Sequence, residues 1–180
     1  MKLTKTFQKN LNAYKDGYRI IANKGSSRSS KTYSILQLFY ILCKHSKTKK
    51  VIHVVSYALP HLVDGAISDF DNIIENDGAD LSKIKTKNPY TYKIGKSVVK
   101  FIGMDKPGRA LGAARDILFI NEANNLKWEV VHQLMFRTTE KIFIDYNPSI
   151  KFWITEKGLN KRKGFISIHS TFLDNLENLS

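Results

Sequence analysis

Gly25-Ser26-Ser27-Arg28-Ser29-Ser30-Lys31-Thr32 decides how the rest of this chain is read. In front of it, Tyr18-Arg19-Ile20-Ile21-Ala22 is a short β-like run. Behind it, Ile35, Leu38, Phe39 and Leu42 recur at i, i+3, i+4 and i+7, one face of a helix. A strand, a loop of small residues, a Lys-Thr pair and a helix form the phosphate-loop arrangement G-x-x-x-x-G-K-[ST]. Every position fits except the second glycine, which is Ser30. Small residues let backbone N–H groups curl around phosphate oxygens, and the helix N-terminus adds a favourable dipole. Gly25, Ser26, Ser27, Arg28, Ser29, Ser30, Lys31 and Thr32 are therefore the predicted nucleotide-binding segment. Lys31 would reach the β- and γ-phosphates, and Thr32 would place its hydroxyl on Mg²⁺. Ser30 suits this role only if its position does not demand a positive φ, which favours glycine. The alternative is a polar, Ser-rich turn that caps a helix.

A second motif supports the first. Ile117–Ala123 reads ILFINEA, four apolar residues ending in a polar pair, as in a Walker B strand. Glu122 would orient and polarise the attacking water. Asn121 stands where an Asp normally helps to hold Mg²⁺ through water; it keeps a carbonyl acceptor and loses the charge. In a parallel sheet, functional side chains gather at the carboxyl ends of strands, which is where Glu122 falls. Asp145-Tyr146-Asn147-Pro148 closes the next apolar run. Asn-Pro is a turn signal, and a polar residue there can also sense a γ-phosphate.

The remaining chain completes an alternating pattern. Val51–Val55 is a continuous β-branched run, as in a strand covered on both faces. Residues 60–76 and 127–138 read as helices, and 3–15 as a short leading helix. Tyr90–Lys93 and Ser97–Phe101 flank Gly95-Lys96 as a hairpin. Lys141–Asp145 and Phe165–Ile168 add strands. The expected fold is α/β with a mainly parallel central sheet.

Composition narrows the partners. The 180 residues suit one domain, 1–180, with 1–17 as a lead-in. No stretch approaches the ~18 apolar residues of a membrane span, and MKLTKTFQKN lacks the apolar core of a signal peptide. A soluble intracellular chain follows. The single cysteine, Cys43, lies in an apolar helical pattern and reads as a core thiol. Lys and Arg number 29 against 16 Asp and Glu, a net +13, which favours a polyanion such as nucleic acid. The surplus gathers at 44–50, 83–87 and 157–163, each of which is also compatible with a solvated loop. His53, His132, Trp128 and Trp153 have no ligand-like partners by spacing and read as structural. Tyr14, Tyr18 and Gln8 are candidates for contacting a base, with core packing the alternative for the tyrosines.

In order, GSSRSSKT, GMD at 103–105, Leu111-Gly112, ILFINEAN, Gln133-Leu134…Arg137, DYNPS at 145–149 and STFLDN at 170–175 resemble the ATPase domain of phage terminase large subunits, the DNA-packaging motors. The resemblance covers roughly 18–175. It implies a P-loop NTPase of the RecA/ASCE type, three-layered, hydrolysing ATP with Mg²⁺ to translocate double-stranded DNA. It implies a homo-oligomeric ring on a portal with a small terminase subunit, in the cytoplasm of a bacterial host, without a membrane. By the same resemblance, Arg28 joins Lys31 and Glu122 as a catalytic residue, stabilising charge on the transferring phosphoryl group. Asn147 and Tyr146 belong to the coupling motif, and Arg109 or Arg115 is the arginine offered to a neighbouring subunit. The family's C-terminal nuclease domain has no counterpart before Ser180. Ser30 and Asn121 depart from the standard motifs and leave open a nucleotide- and DNA-binding module with little hydrolysis. Another P-loop ATPase, such as a helicase, would need a second RecA-like domain.

Overall fold

The structure, a computed structural model, describes residues 3–26, 29–105, 112–148, 152–171 and 174. Its frame follows from the apolar runs. Strands β1 (Ile20–Gly25), β2 (Val51–Ser56), β3 (Lys85–Lys87), β4 (Tyr90–Ile94), β5 (Ser97–Gly103), β6 (Arg115–Ile120), β7 (Thr138–Tyr146) and β8 (Phe165–Ser170) form one sheet. Its order is β3-β4-β5-β2-β6-β7-β1-β8. All the pairings from β5 to β8 are parallel, and the β3-β4-β5 edge is antiparallel. Alternation along each strand sorts side chains to two faces. Ile21, Phe119 and Phe143 enter one buried cluster, while Ile20, Ala22, Leu118, Ile120, Ile142 and Ile144 enter the other.

Helices α1 (Lys5–Lys15), α2 (Lys31–His45), α3 (Leu59–Leu62), α4 (Ser68–Glu75), α5 (Leu81–Ile84), α6 (Trp128–Phe136) and α7 (Trp153–Glu156) complete the fold. Residues of α1, α2 and α4 share the first cluster; those of α6 and α7 share the second. Phe39 of α2 meets Phe119 and Phe143 edge-on, with centroids 6.0 and 5.1 Å apart, a favoured aromatic geometry. The result is the expected three-layer α/β domain. The helix expected over 60–76 is present as a continuous helical segment, α3 followed by a π turn at Val63–Ile67 and then α4. Among the described residues no helix is long and apolar enough to cross a membrane.

The leading helix is fastened by polar contacts. Asn10 and Asn23, both buried, exchange two amide hydrogen bonds of 2.8 Å. Tyr14 and Tyr18 pack partly against the core beside Lys141 at the start of β7. That is the end of the sheet opposite the phosphate loop, so neither is placed to contact a base there. Gln8 bonds Asn12 on its own helix. Cys43 is buried, its thiol pushed up to about 12 by burial. Trp153 is buried and donates to Leu126 O at 2.9 Å.

His53, on β2, is 2% exposed, and its ring nitrogens find no hydrogen-bond partner among the described residues. Burial, then Arg115 and Lys100, push its pKa from 6.5 down to about 3. The folded chain holds the ring neutral, while the unfolded chain takes up a proton near pH 6.5. This contribution is therefore present above pH 6.5 and is lost as pH falls toward 3. Between pH 7 and 4.5 the loss is about 2.5 kcal/mol. Asp69, raised to about 6 by burial, works in the opposite sense. Comparing wild type with His53→Leu isolates the histidine: urea unfolding at both pH values should show a flatter acid limb in the variant. Identical limbs would contradict this assignment.

Candidate nucleotide site

The phosphate loop is held by a close approach. A Cβ on Gly25 would lie 2.0 Å from Ser170 O of β8, so only glycine fits there. Ser29 Oγ donates to Ser26 O at 2.8 Å, and Ser170 Oγ donates to Ser29 Oγ at 3.3 Å. Lys31 folds into this turn, its Nζ donating to Gly25 O, Ser26 O and Ser29 Oγ at 2.7–3.1 Å. Burial lowers the Lys31 pKa, against the pull of Asp145 and Glu122. Ser27 and Arg28 lie outside the described residues, as does Arg109.

Ser30 takes φ 57° and ψ 17°, the left-handed conformation. The condition set on this position from the sequence is not met: it does demand positive φ, and a serine occupies the place of the standard glycine. The Ser30 side chain makes no capping hydrogen bond to the first turn of α2, and the free N–H groups of a helix N-terminus suit an anion. Replacing Ser30 with glycine removes the Cβ penalty, in part offset by the flexibility glycine adds to the unfolded chain. Ser30→Gly is expected to stabilise by about 0.5–1 kcal/mol. A melting temperature equal to or below that of wild type would contradict this.

The acidic side of the cleft comes from two adjacent strand ends. Ile120 of β6 pairs with Ile144 of β7, so Asn121 and Asp145 follow side by side. Asp145 is buried; its Oδ2 accepts from Thr32 Oγ1 at 2.5 Å and its Oδ1 from Glu122 N at 2.6 Å. Burial raises the Asp145 pKa, with Thr32, the Glu122 amide, Lys31 and Asn121 opposing. Asn121 donates from Nδ2 to both Asp145 oxygens at 3.1–3.2 Å and lies 3.5 Å from Thr32 Oγ1. It thus presents its NH₂, not a carbonyl, to Thr32. An NH₂ group is no metal ligand, so the expected hold of Asn121 on Mg²⁺ through water would fall to its Oδ1. Glu122 has φ 51° and ψ 53° and accepts from Asn125 Nδ2 at 3.3 Å. A strained backbone at this carboxylate fits a functional position.

Lys31, Thr32, Asp145 and Glu122 line one cleft of about 360 Å³ with Asp69, Tyr33 and Asn147, a volume in the ligand-binding range. Asn147 Oδ1 lies 3.5 Å from Lys31 Nζ. Tyr146 lines the cleft and packs edge-on to Phe152 at 5.0 Å. Asp145 and Asp69 were not singled out from the sequence. Asp145 was legible as the polar residue that ends a buried β-run; Asp69 carries no such signal.

Arg115 does not fit its expected role. It is 2% exposed, and its guanidinium donates to Ala113 O and, at the C-terminal turn of α6, to Leu134 O. Burial, then Arg137, lowers its pKa to about 10. It braces β6 against α6 and is withdrawn as a residue offered to a neighbouring subunit.

No protein-family profile and no curated protein matches the chain. Solved structures do. The large terminase of a thermophilic bacteriophage aligns over 100% of this chain with a TM-score of 0.79 at 18% identity. The same protein in complex with ATP-gamma-S gives 0.77 at 19%. The fold is that of a phage large-terminase ATPase domain. The HK97 bacteriophage large terminase agrees, with a TM-score of 0.74 over 93% of this chain at 9% identity. The chain spans about half the length of the thermophilic phage's terminase, 48%, and 39% of the HK97 protein. In this terminase-like sheet one strand, β7, separates the phosphate-loop strand from the ILFINEA strand. That placement sets Asp145 between Thr32 and Asn121.

Proposed function

We propose that this chain is an ATPase that drives translocation of double-stranded DNA, as a terminase large subunit does. The observation that carries it is the convergence of Lys31, Thr32, Asp145, Glu122 and Asn147 from three strand ends on one cleft, at the N-terminus of α2. Neighbours of the same fold include complexes with ADP and with ATP-gamma-S, and a protein described as a DNA packaging motor, at TM-score 0.52 and 13% identity.

ATP would lie with its β- and γ-phosphates against the α2 amides and Lys31 Nζ. Glu122 would accept a proton from water as the water attacks the γ-phosphorus in line; the bond to the β,γ-bridging oxygen breaks and ADP leaves with that electron pair. Lys31 offsets the charge that gathers there. Hard oxygen donors, the Thr32 hydroxyl and the Asp145 carboxylate, fit Mg²⁺, which would neutralise charge between the phosphates. Asn147, next to Lys31, suits a residue that reports γ-phosphate to the rest of the fold. The same reading includes a homo-oligomeric ring on a portal with a small subunit, in the host cytoplasm, and Arg28 and Arg109 as the arginines of the site.

The basic runs suit the DNA. Lys157, Lys161, Arg162 and Lys163 are exposed and have no ion pair among the described residues. By contrast Lys44 pairs with Asp77, Lys50 with Glu140 and Lys85 with Asp71. The 157–163 run precedes β8, at the sheet end opposite the nucleotide cleft. Double-stranded DNA should raise the ATPase rate, and its binding should weaken steeply with salt. Substituting Lys161, Arg162 and Lys163 by alanine should flatten the log–log salt slope by about one unit for each phosphate no longer neutralised. A rate indifferent to DNA, with binding indifferent to salt, would overturn the motor reading and leave a nucleotide-binding module.

A further inference from the structure

The unusual feature of the cleft is its charge distribution. The residue that should carry the metal-facing carboxylate on β6 is Asn121. A buried carboxylate stands beside it instead, one strand over. Asp145 touches the hydroxyl of Thr32, the phosphate-loop residue that would face Mg²⁺, at 2.5 Å. Asn121 reaches the same hydroxyl only through its NH₂, at 3.5 Å, and donates to Asp145 as well. Among the described residues no three His, Cys, Asp or Glu side chains form a metal-binding group. The carboxylate hydrogen-bonded to Thr32 is that of Asp145.

We propose that Asp145 at the end of β7 is the metal-facing carboxylate of this ATPase, and that Asn121, the residue after β6, positions it. Relative to a standard Walker B arrangement, the acid stands one strand over and an amide takes its place. Three contacts make the exchange workable. The β6–β7 register sets the two side chains next to one another. The Asn121 amide orients the carboxylate without competing for the cation. The Glu122 N–H, bonded to Asp145 Oδ1 at 2.6 Å, ties the carboxylate to the backbone of the residue that handles water. Metal binding and the setting of Glu122 are thus joined in one side chain. On this account the loss of charge at Asn121 carries no penalty in metal affinity.

The inference rests on the nucleotide-binding reading, and its test separates the two. Calorimetry would measure ADP and ATP-gamma-S affinity with Mg²⁺ and with EDTA for wild type, Asp145→Asn, Asn121→Asp and the exchange variant carrying both substitutions. Asp145→Asn should keep its affinity in EDTA and lose the Mg²⁺ enhancement by roughly 10–100-fold, the usual scale for disturbed metal sites. The exchange variant, which retains one acid and one amide in contact, should recover most of it. An Asp145→Asn variant with the full Mg²⁺ enhancement would overturn the proposal and leave Asp145 as a brace for Thr32 and Glu122. An exchange variant that folds without recovery would also count against it. The wild type supplies a check that needs no change at this pair. With Mn²⁺ in place of Mg²⁺ and carboxyl-¹³C aspartate incorporated in an Asp69→Asn background, electron–nuclear double resonance of the Mn²⁺·ADP complex should show a ¹³C coupling, and its absence would overturn the proposal even if both substituted pairs fail to fold. Wild type that binds no nucleotide under either condition would instead remove the ATPase reading.

Discussion

Glu122→Gln should lower ATP turnover by roughly 10²–10⁴-fold, the range for removal of a positioned general base, while Mg-ATP binding stays within about twofold of wild type. The geometry sets both halves of this expectation. Glu122 lines the cleft but bonds neither Lys31 nor Thr32; its carboxylate accepts from Asn125. Its backbone N–H, which the substitution keeps, is the group that holds Asp145. Loss of the carboxylate therefore acts on the water and not on the phosphate cradle. Steady-state phosphate release paired with equilibrium binding would separate the two effects. Turnover equal to wild type would move the catalytic role to another residue.

Lys31→Ala should abolish nucleotide binding on any practical scale. Lys31 Nζ holds three oxygens of the loop, and among the described residues it is the cation lining the cleft that the phosphates would meet. Backbone amides supply partial charges, which cannot replace a full charge in a half-buried site. Wild type at a nucleotide concentration of 100 times Kd gains about 2.7 kcal/mol of stability by mass action, read as a rise in melting temperature. Lys31→Ala should show no such rise. An undiminished rise would remove 25–32 as the phosphate loop.

Much of this was legible in the sequence, for local reasons. The phosphate loop was readable because its residue types and their strand–helix flanks are set within a few residues. The strands at 51–55, 117–120 and 141–145 were readable because burial on both faces writes continuous apolar runs. Three features were not. The role of Asp145 depends on β7 lying between β1 and β6, and no run of residues encodes lateral strand order. Arg115, a charge at a strand start, reads as exposed; its burial depends on Leu134 O at the end of α6, where helix carbonyls attract a cation. Lys85–Lys87, within a basic run, forms an edge strand because Tyr90–Ile94 offers it a partner and Lys85 finds Asp71. Charged edge strands carry little apolar periodicity to detect. Ser30 was correctly singled out, but its φ follows from the turn that closes around Lys31, which the residue type alone argues against.

On the reading proposed above, residues 25–32, closed by Asp145 and Glu122, bind a nucleoside triphosphate. Titration calorimetry of the wild-type chain with ATP-gamma-S in the presence of Mg²⁺ tests it most directly. The expected result is one saturable site per chain, displaced by ADP and absent from Lys31→Ala. A wild-type titration with no saturable heat, under conditions where circular dichroism and thermal unfolding show the chain folded, would contradict it.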